Sequence, residues 1–563
     1  MTLQAAFAAT LVDEWVRAGI TDAVVAPGSR STPLVMAVDA SPLRVHVFLD
    51  ERSAAFFALG LGLATGRPAP VVVTSGTAAV ELHPAAVEAH HARVPLLLCT
   101  ADRPPELHQV GAPQTIEQAD LFPGVTRWRA DLGAVGDLPP AAWRSIAARA
   151  VAACVAGPSG PGPVHLNLGF RDPLVGAPGD TPAGRDGGRP WHVGGGRTAP
   201  VTIGATALLS GRTGVVIAGG GVTDPGPVLE LARALGWPVL AAPGSRCRAP
   251  AAEGAVVVSA FDAVLRSPGA SGRLRPEAVL RLGAPPASKV LAGWAAGDVV
   301  VADPFGAWAD PERQATMLVA AEPEAVCRSI LADAPAPAPD GWAAAWRAAE
   351  TCAQDTIASV LDAHPEVTEP GVARTVTGTL GADSALVVAS SMPIRDVEWY
   401  GDPAMACRVL ANRGANGIDG LVSTALGVAG GWPGPAAALL GDLAFLHDGG
   451  GLLGAARRGI DCCLVVVDND GGGIFGFLPQ AELAPDRFER LWGTPHGLDL
   501  AALAAVHGLA VEVVSAAADV GPAVTASVEA GGVRMVLART DRAANVGVHA
   551  ELSTAVVEAV ERL

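Results

Sequence analysis

The chain has 563 residues, a 50% hydrophobic composition and a formal charge of −17 without a basic run, which allows about three domains of ordinary size and excludes nucleic acid and anionic membrane as natural partners. Its eight cysteines show no CxxC spacing and sit mostly in apolar segments, so they read as reduced thiols of a cytoplasmic protein, not as a disulfide framework or a zinc site. No apolar stretch is long enough to span a bilayer, and the opening helix through Asp13-Glu14-Trp15 carries acids where a signal peptide carries basic residues.

In chain order, LVDEWVRAGITDAVVAPGSRSTPL reads as a helix, a turn at glycine, a strand and a polar loop. The next strand, VHVFLDER, ends in Asp50-Glu51-Arg52 and opens an apolar helix that closes in ALGLATG; the strands VVVTSGT and PLLLCTADR follow. His90-His91 sits at a helix end, where histidines are capping or surface groups. Residues 176–200 and 333–341 are too rich in Gly and Pro for regular structure and read as linkers. They divide the chain into an N-terminal domain (1–182), a middle domain (200–335) and a C-terminal domain (342–563). In the middle domain VVIAGGGVTD (215–224) looks like a dinucleotide-binding turn but lacks the third glycine, and is set aside.

The C-terminal domain repeats the order of the first. VARTVTGTLGADSALVVASSMPIR gives the same helix, turn, strand and loop, with Ala389 in the place of Ala26. CRVLANRG faces VHVFLDER, ALGVAGG faces ALGLATG, ALLGDLA faces VVVTSGT, and CLVVVDNDG faces PLLLCTADR. The expected fold is therefore α/β, with two similar doubly wound parallel-sheet domains flanking a smaller α/β domain. The copies differ where chemistry is expected: the C-terminal one has Asp442 and Asn469 where the N-terminal one has Ser75 and Asp102.

An apolar run ending in Gly441-Asp442-Leu443 is followed 27 residues later by a second, ending in Asp468-Asn469-Asp470-Gly471-Gly472-Gly473. Read as strand, turn, helix, strand and loop, this puts two hard oxygen donors at strand C-terminal ends beside a loop whose backbone N–H groups can close on phosphates. That combination suits Mg²⁺ carrying a diphosphate. The spacing resembles the thiamine diphosphate signature. Thiamine chemistry also needs a carboxyl group against the aminopyrimidine, and Glu51 is the candidate: Ala54, Ala55, Phe56 and Phe57 behind it suggest a dry setting that raises its pKa.

The stretches APGSRSTPL, DERSAAFFALGLA, TSGTAAVELHPAAVEA, CTADRPPEL, GAPQTI, SSMPIRDV, NRGANGIDGLVSTALG, GDLAFLHD and NDGGGIFGFLP together resemble the SEPHCHC synthase (MenD) family of thiamine diphosphate enzymes. The resemblance runs through both outer domains and is faint in the middle. It implies decarboxylation of 2-oxoglutarate and conjugate addition of the four-carbon unit to isochorismate, giving 2-succinyl-5-enolpyruvyl-6-hydroxy-3-cyclohexene-1-carboxylate in menaquinone biosynthesis. It also implies a homodimer or tetramer with active sites at the subunit interface.

By the same resemblance Asp442, Asn469 and the Gly471 carbonyl hold Mg²⁺ (or Mn²⁺), and Glu51 activates a cofactor held by the other subunit. Ser391 and Met392 lie against that cofactor, Ile418 wedges it, and Gly441, Leu443, Gly472 and Ile474 border it. Arg395 and Arg413 hold 2-oxoglutarate with Ser391, while Ser29, Arg30, Arg103, Gln114 and Lys289 hold isochorismate. Ile474, Phe475 and Leu478 form an apolar wall against water. The residues agree on one point independently: two dicarboxylate substrates in an acidic protein require local cations, and Arg30, Arg103, Arg395 and Arg413 all fall in expected strand-end loops. Lys289, the one lysine in the chain, stands where the family places a cation. Four positions depart from the family pattern. Asp468 and Asp470 make the metal loop more acidic, Val290 replaces a second basic residue, and Pro113 precedes Gln114.

Overall fold

The computed structural model describes residues 2–135, 138–192, 204–248 and 254–563, and contains three six-stranded sheets. The first runs β2-β1-β3-β4-β6-β5, from β1 (Asp22–Val25), β2 (Arg44–Val47), β3 (Pro70–Val73), β4 (Leu96–Asp102), β5 (Trp128–Ala134) and β6 (Pro163–Gly169). The second runs β12-β11-β10-β7-β8-β9, from β7 (Gly214–Ala218), β8 (Pro238–Ala241), β9 (Val256–Val258), β10 (Ala278–Leu282), β11 (Asp298–Ala302) and β12 (Ala315–Val319). The third runs β14-β13-β15-β16-β18-β17, from β13 (Ala385–Val388), β14 (Arg408–Leu410), β15 (Ala436–Gly441), β16 (Cys462–Asp468), β17 (Ala510–Val514) and β18 (Val533–Arg539). The third order is the first repeated strand for strand. Equivalent bonds close equivalent turns: Ala26 N–H donates to Val72 O at 3.0 Å, and Ala389 N–H to Leu439 O at 2.9 Å.

The sequence explains the sheets. Every residue of β3 (Pro-Val-Val-Val) and of β7 (Gly-Val-Val-Ile-Ala) is buried, and β16 is buried up to its final aspartate, as expected of parallel strands covered on both faces. The chain folds as two compact units. One comprises Met1–Arg197, Asn412–Ala436 and Ala444–Cys462; the other comprises Thr198–Ala411, Ala437–Leu443 and Cys463–Leu563.

In the first unit the helix Leu3–Arg17 packs on Pro140–Ala156, with the Phe7 and Trp143 rings edge to face at 5.2 Å. Glu14, read from the sequence as one of the acids of an amphipathic helix, is completely buried and paired with Arg144 at 2.8 Å. The stretch expected to be a linker is tied down instead: Thr2 N–H donates to Ala177 O at 3.1 Å and Arg144 Nε to Pro182 O at 2.9 Å. Polar backbone lying on a surface finds partners wherever arginines and free amides border it. The remainder of that stretch, 193–200, lies outside the described residues, as does the start of the expected middle domain.

The same unit brings the helix Glu51–Thr65 against Leu421–Gly431 at a crossing made by glycines. A Cβ on Gly60 would lie 2.2 Å from Thr424 O, and one on Gly427 would lie 2.0 Å from Phe57 O. Asp50 caps the first helix by accepting from Arg52 N and Ser53 N. Buried Asp448 joins the two starts, its Oδ2 accepting from Ser423 N at 2.6 Å and its Oδ1 from Ser53 Oγ at 3.1 Å.

In the second unit the other expected linker also straps down, with Gly211 N–H donating to Ala336 O at 2.9 Å and Ala338 N–H to Leu235 O at 2.8 Å. The glycine-rich turn after β7 lies at the switch point between β7 and β10, where such sheets bind ligands. Here the chain fills it. Glu324 Oε1 accepts from Thr223 N at 2.6 Å, Asp224 N at 3.0 Å and Thr223 Oγ1 at 3.0 Å. Burial raises the Glu324 pKa, but these amides outweigh burial and hold it below the usual carboxylate range. The glycines serve backbone contact, since a Cβ on Gly219 would overlap Ala284 O.

Gly427→Ala tests the crossing. Helix propensity alone would gain about 1 kcal/mol, whereas forcing a methyl against a backbone carbonyl costs about 1–3 kcal/mol or more. The expected result is a lower thermal midpoint in circular dichroism.

Candidate active site

Strands β15 and β16 end side by side, Gly441 pairing with Val467, and this register sets the C-terminal constellation. Asp442, 2% exposed, accepts through Oδ2 from Gly471 N at 2.8 Å and Asn469 N at 3.1 Å, and through Oδ1 from Leu443 N at 2.6 Å. Burial pushes its carboxyl above the ordinary value, an effect a bound cation reverses. The Asn469 amide is oriented by a residue the sequence reading missed. Its Nδ2 donates to Glu369 Oε1 at 2.7 Å, which leaves Oδ1 buried and without a hydrogen-bond partner among the described residues. Burial first, then the neighbouring Asp396, pushes the Glu369 carboxyl well up. An orphaned buried amide oxygen beside a buried carboxylate is the donor set a hard divalent cation needs, so Asp442 and Asn469 fit Mg²⁺.

His496 is the second residue missed. Its Nε2 lies 3.4 Å from Asp442 Oδ2 and 3.6 Å from Asp468 Oδ1, and donor atoms of Asp442, Asp468 and His496 fall within 4.8 Å of one another. Asp468 thus joins Asp442 and His496 in a group of donors that could hold a cation. Asp470 does not: its Oδ1 accepts from His496 N at 2.9 Å and Gly497 N at 2.8 Å, and the Gly497 bond holds its carboxyl low. The acidity expected of both flanking aspartates in the metal loop therefore resolves into one acid in that group and one that fastens the following loop. Gly471 has φ of 137° and a Cβ there would lie 2.0 Å from Gly493 O, so only glycine fits. Gly472 N–H donates to the same carbonyl at 2.8 Å. Ile474 and Phe475 are half-buried and Leu478 is 36% exposed, so in this unit the apolar wall is an open edge.

After β13, Ser391 holds φ of 75°, a conformation costly for a non-glycine residue, and its hydroxyl does not cap the helix Met392–Tyr400 that follows. Met392 is buried. Arg395, expected in a loop, sits instead in the first turn of this helix, half-buried, with its guanidinium on Ser391 O. One turn on, buried Glu398 accepts from Ala287 N at 2.8 Å and so anchors the loop leading to Lys289, the exposed first residue of the helix Lys289–Trp294. Burial pushes the Glu398 carboxyl up to about 7.

The first unit holds the other group of candidates. Glu51 starts its helix half-buried and lines a cavity of about 480 Å³ with Asp50, Arg52, Thr74, Ser75 and Gln114 among others. Ala54, Ala55, Phe56 and Phe57 are buried behind it. Ser75 is the hub: its Oγ accepts from Arg103 Nη1 at 2.9 Å and donates to Gln114 O at 2.9 Å, while Gln114 Nε2 donates to Ser75 O at 2.9 Å. Gln114 holds φ of 59° directly after Pro113. Arg30 is buried, donating to Phe170 O at 2.9 Å, with exposed Ser29 beside it. Arg413 is exposed and Ile418 half-buried in the loop before Leu421–Gly431. His90 is neither cap nor surface group, because its Nδ1 meets Val125 O at 2.8 Å and Arg127 Nη1 at 2.8 Å.

Residues 1–121 match the thiamine pyrophosphate enzyme N-terminal TPP binding domain, and residues 408–537 match the C-terminal TPP binding domain. The chain is 42% identical to the 2-succinyl-5-enolpyruvyl-6-hydroxy-3-cyclohexene-1-carboxylate synthase of Geobacillus kaustophilus, with 96% of each chain covered. It is 43% identical to the synthase of that name from Thermobifida fusca, with 100% of each covered. The chain belongs to this synthase family. Glu51 falls within the first matched segment and Asp442 and Asn469 within the second.

Two outcomes test these arrangements. Asn469→Leu, which removes the orphaned oxygen, should weaken Mg²⁺-dependent binding of thiamine diphosphate at least about tenfold in calorimetry, the range expected for a lost metal ligand or its support. Glu398 has a folded pKa raised from its ordinary 4.5 to about 7. The stability it gives as a neutral acid is thus complete below about pH 4.5 and lost as pH rises through about 7. Glu398→Gln should remove about 3 kcal/mol of that dependence, seen as a flatter thermal midpoint between about pH 5 and about pH 8.

Proposed function

We propose that this chain is a SEPHCHC synthase of menaquinone biosynthesis. It decarboxylates 2-oxoglutarate and joins the remaining four-carbon unit to isochorismate. The observation that carries this reading is the buried, unpartnered Asn469 Oδ1 beside Asp442, in a chain that matches synthases of that name along its length. Asp442, Asn469 and the Gly471 carbonyl would hold Mg²⁺, or Mn²⁺, which would supply charge to bind the diphosphate. Thiamine diphosphate, when bound, supplies the carbanion chemistry.

The protein's own groups orient, protect and move protons. Glu51 shares a proton with the aminopyrimidine of a cofactor held by another subunit, so the working form is a homodimer or tetramer. Arg395 and Arg413 bind the carboxylates of 2-oxoglutarate, and charge-assisted bonds of this kind contribute about 1.5–3 kcal/mol each. Ser29, Arg30, Arg103, Gln114 and Lys289 receive isochorismate. Ser75, which was not among the expected site residues, ties Arg103 to Gln114. Ser391, Met392 and Ile418 lie along the cofactor, bordered by Gly441, Leu443 and Gly472, and Ile474, Phe475 and Leu478 exclude water. Three domains, 1–182, 200–335 and 342–563, and a cytoplasmic location complete the reading.

The assay supplies thiamine diphosphate, Mg²⁺ and 2-oxoglutarate with and without isochorismate. Turnover that consumes isochorismate and releases CO₂ is expected, and its absence overturns the reading. Glu51→Gln should lower turnover by at least about 100-fold, the scale of general acid–base catalysis, while cofactor binding stays close to that of the parent. Full activity in that variant removes the role of Glu51.

A further inference from the structure

We propose that Glu88, a buried carboxylate outside the candidate site residues, is the positioning residue that aims Arg413 at the 2-oxo dicarboxylate substrate. The proposal rests on the assignment of Arg413 to that substrate.

Glu88 lies in the helix His83–Ala92 and is 3% exposed. Its two oxygens are divided between consecutive amides: Oε1 accepts from Gly414 N at 2.7 Å and Oε2 from Ala415 N at 2.6 Å. Bonds from amides to a carboxylate are charge-assisted, and two successive N–H groups grasped by one anion fix the orientation of the peptide between them. The first of these amides belongs to the residue directly after Arg413. On the other side, Asn412 Nδ2 donates to Thr424 Oγ1 at 3.1 Å, so the arginine backbone is held both before and after while its side chain is exposed.

The fit leaves the loop no slack. A Cβ on Gly414 would lie 2.5 Å from Glu88 O and 2.6 Å from Ala92 N, so the loop rests directly on the helix backbone. Two residues further on, Asn416 holds φ of 62°, and the chain turns there toward Ile418. Glu88 fixes the backbone at the base of Arg413, and precise carboxylate recognition requires a cationic side chain carried on a fixed base.

A double-mutant cycle in the full-length, cofactor-loaded protein tests this. Glu88→Gln should raise KM for 2-oxoglutarate about tenfold, on the scale by which lost positioning acts, with kcat and the KM for isochorismate changed less than about twofold. In the Arg413→Ala background the same substitution should add less than about twofold, because its effect passes through Arg413. Equal rises in both KM values, or an undiminished effect in that background, overturns the proposal while leaving the assignment of Arg413 intact. An unchanged KM for 2-oxoglutarate in Arg413→Ala alone overturns the assignment itself, and the proposal with it. If Glu88→Gln does not fold, Ala415→Pro removes the amide facing Oε2 and leaves Glu88 in place. It should give the same substrate-selective rise, and an unchanged KM for 2-oxoglutarate there is equally decisive against the proposal.

Discussion

A parallel strand covered on both faces is a near-continuous apolar run, and the polar side chains that reach a ligand gather where it ends. β16 obeys this rule to the residue, running apolar from Cys462 and becoming polar at Asp468. Because β15 and β16 are neighbours, their polar ends meet, and Asp442 finds the Asn469 and Gly471 amides within hydrogen-bonding range. The first sheet meets the same constraint with other residues, placing Ser75, Asp102 and Arg103 at its strand ends. Two copies of one architecture thus yield one edge where Asp442, Asp468 and His496 meet and one where Ser75 and Arg103 are joined.

What was legible in the sequence is what that constraint governs. The Gly441-Asp442 to Asn469 interval follows from strand and helix lengths, and the repeat follows from the order of elements. The supporting residues were not legible. Glu369 approaches Asn469 from the first turn of the helix Glu369–Thr379, and His496 approaches Asp442 and Asp468 from a loop beyond β16. Neither carries a local pattern, because a side chain that orients another answers to three-dimensional proximity and to no period. The roles of Asp468 and Asp470 were indistinguishable for the same reason: what separates them is the pair of amides at His496 and Gly497. The straps at 176–192 and 333–341 look flexible by composition and are held by contacts that composition does not encode.

Glu88, Glu398 and Asp448 share one device, a buried carboxylate that accepts backbone amides of a neighbouring segment. In an acidic chain this internal use of acid makes electrostatic sense. Carboxylates kept inside as acceptors leave strand-end arginines less opposed, and at physiological salt the remaining surface charge is screened beyond about 8 Å.

Glu324 gives the middle sheet an unusual chemical standing. Its carboxylate occupies the amides that a nucleotide phosphate uses in folds of the same strand order, and it is tethered to them by its own polypeptide. A tethered ligand does not dissociate into solution, and its effective concentration reaches the millimolar range or higher. Free nucleotides therefore compete poorly for the turn after β7. The middle sheet thus keeps the strand order of a ligand-binding fold while its own carboxylate saturates the turn, and it serves the molecule as scaffold.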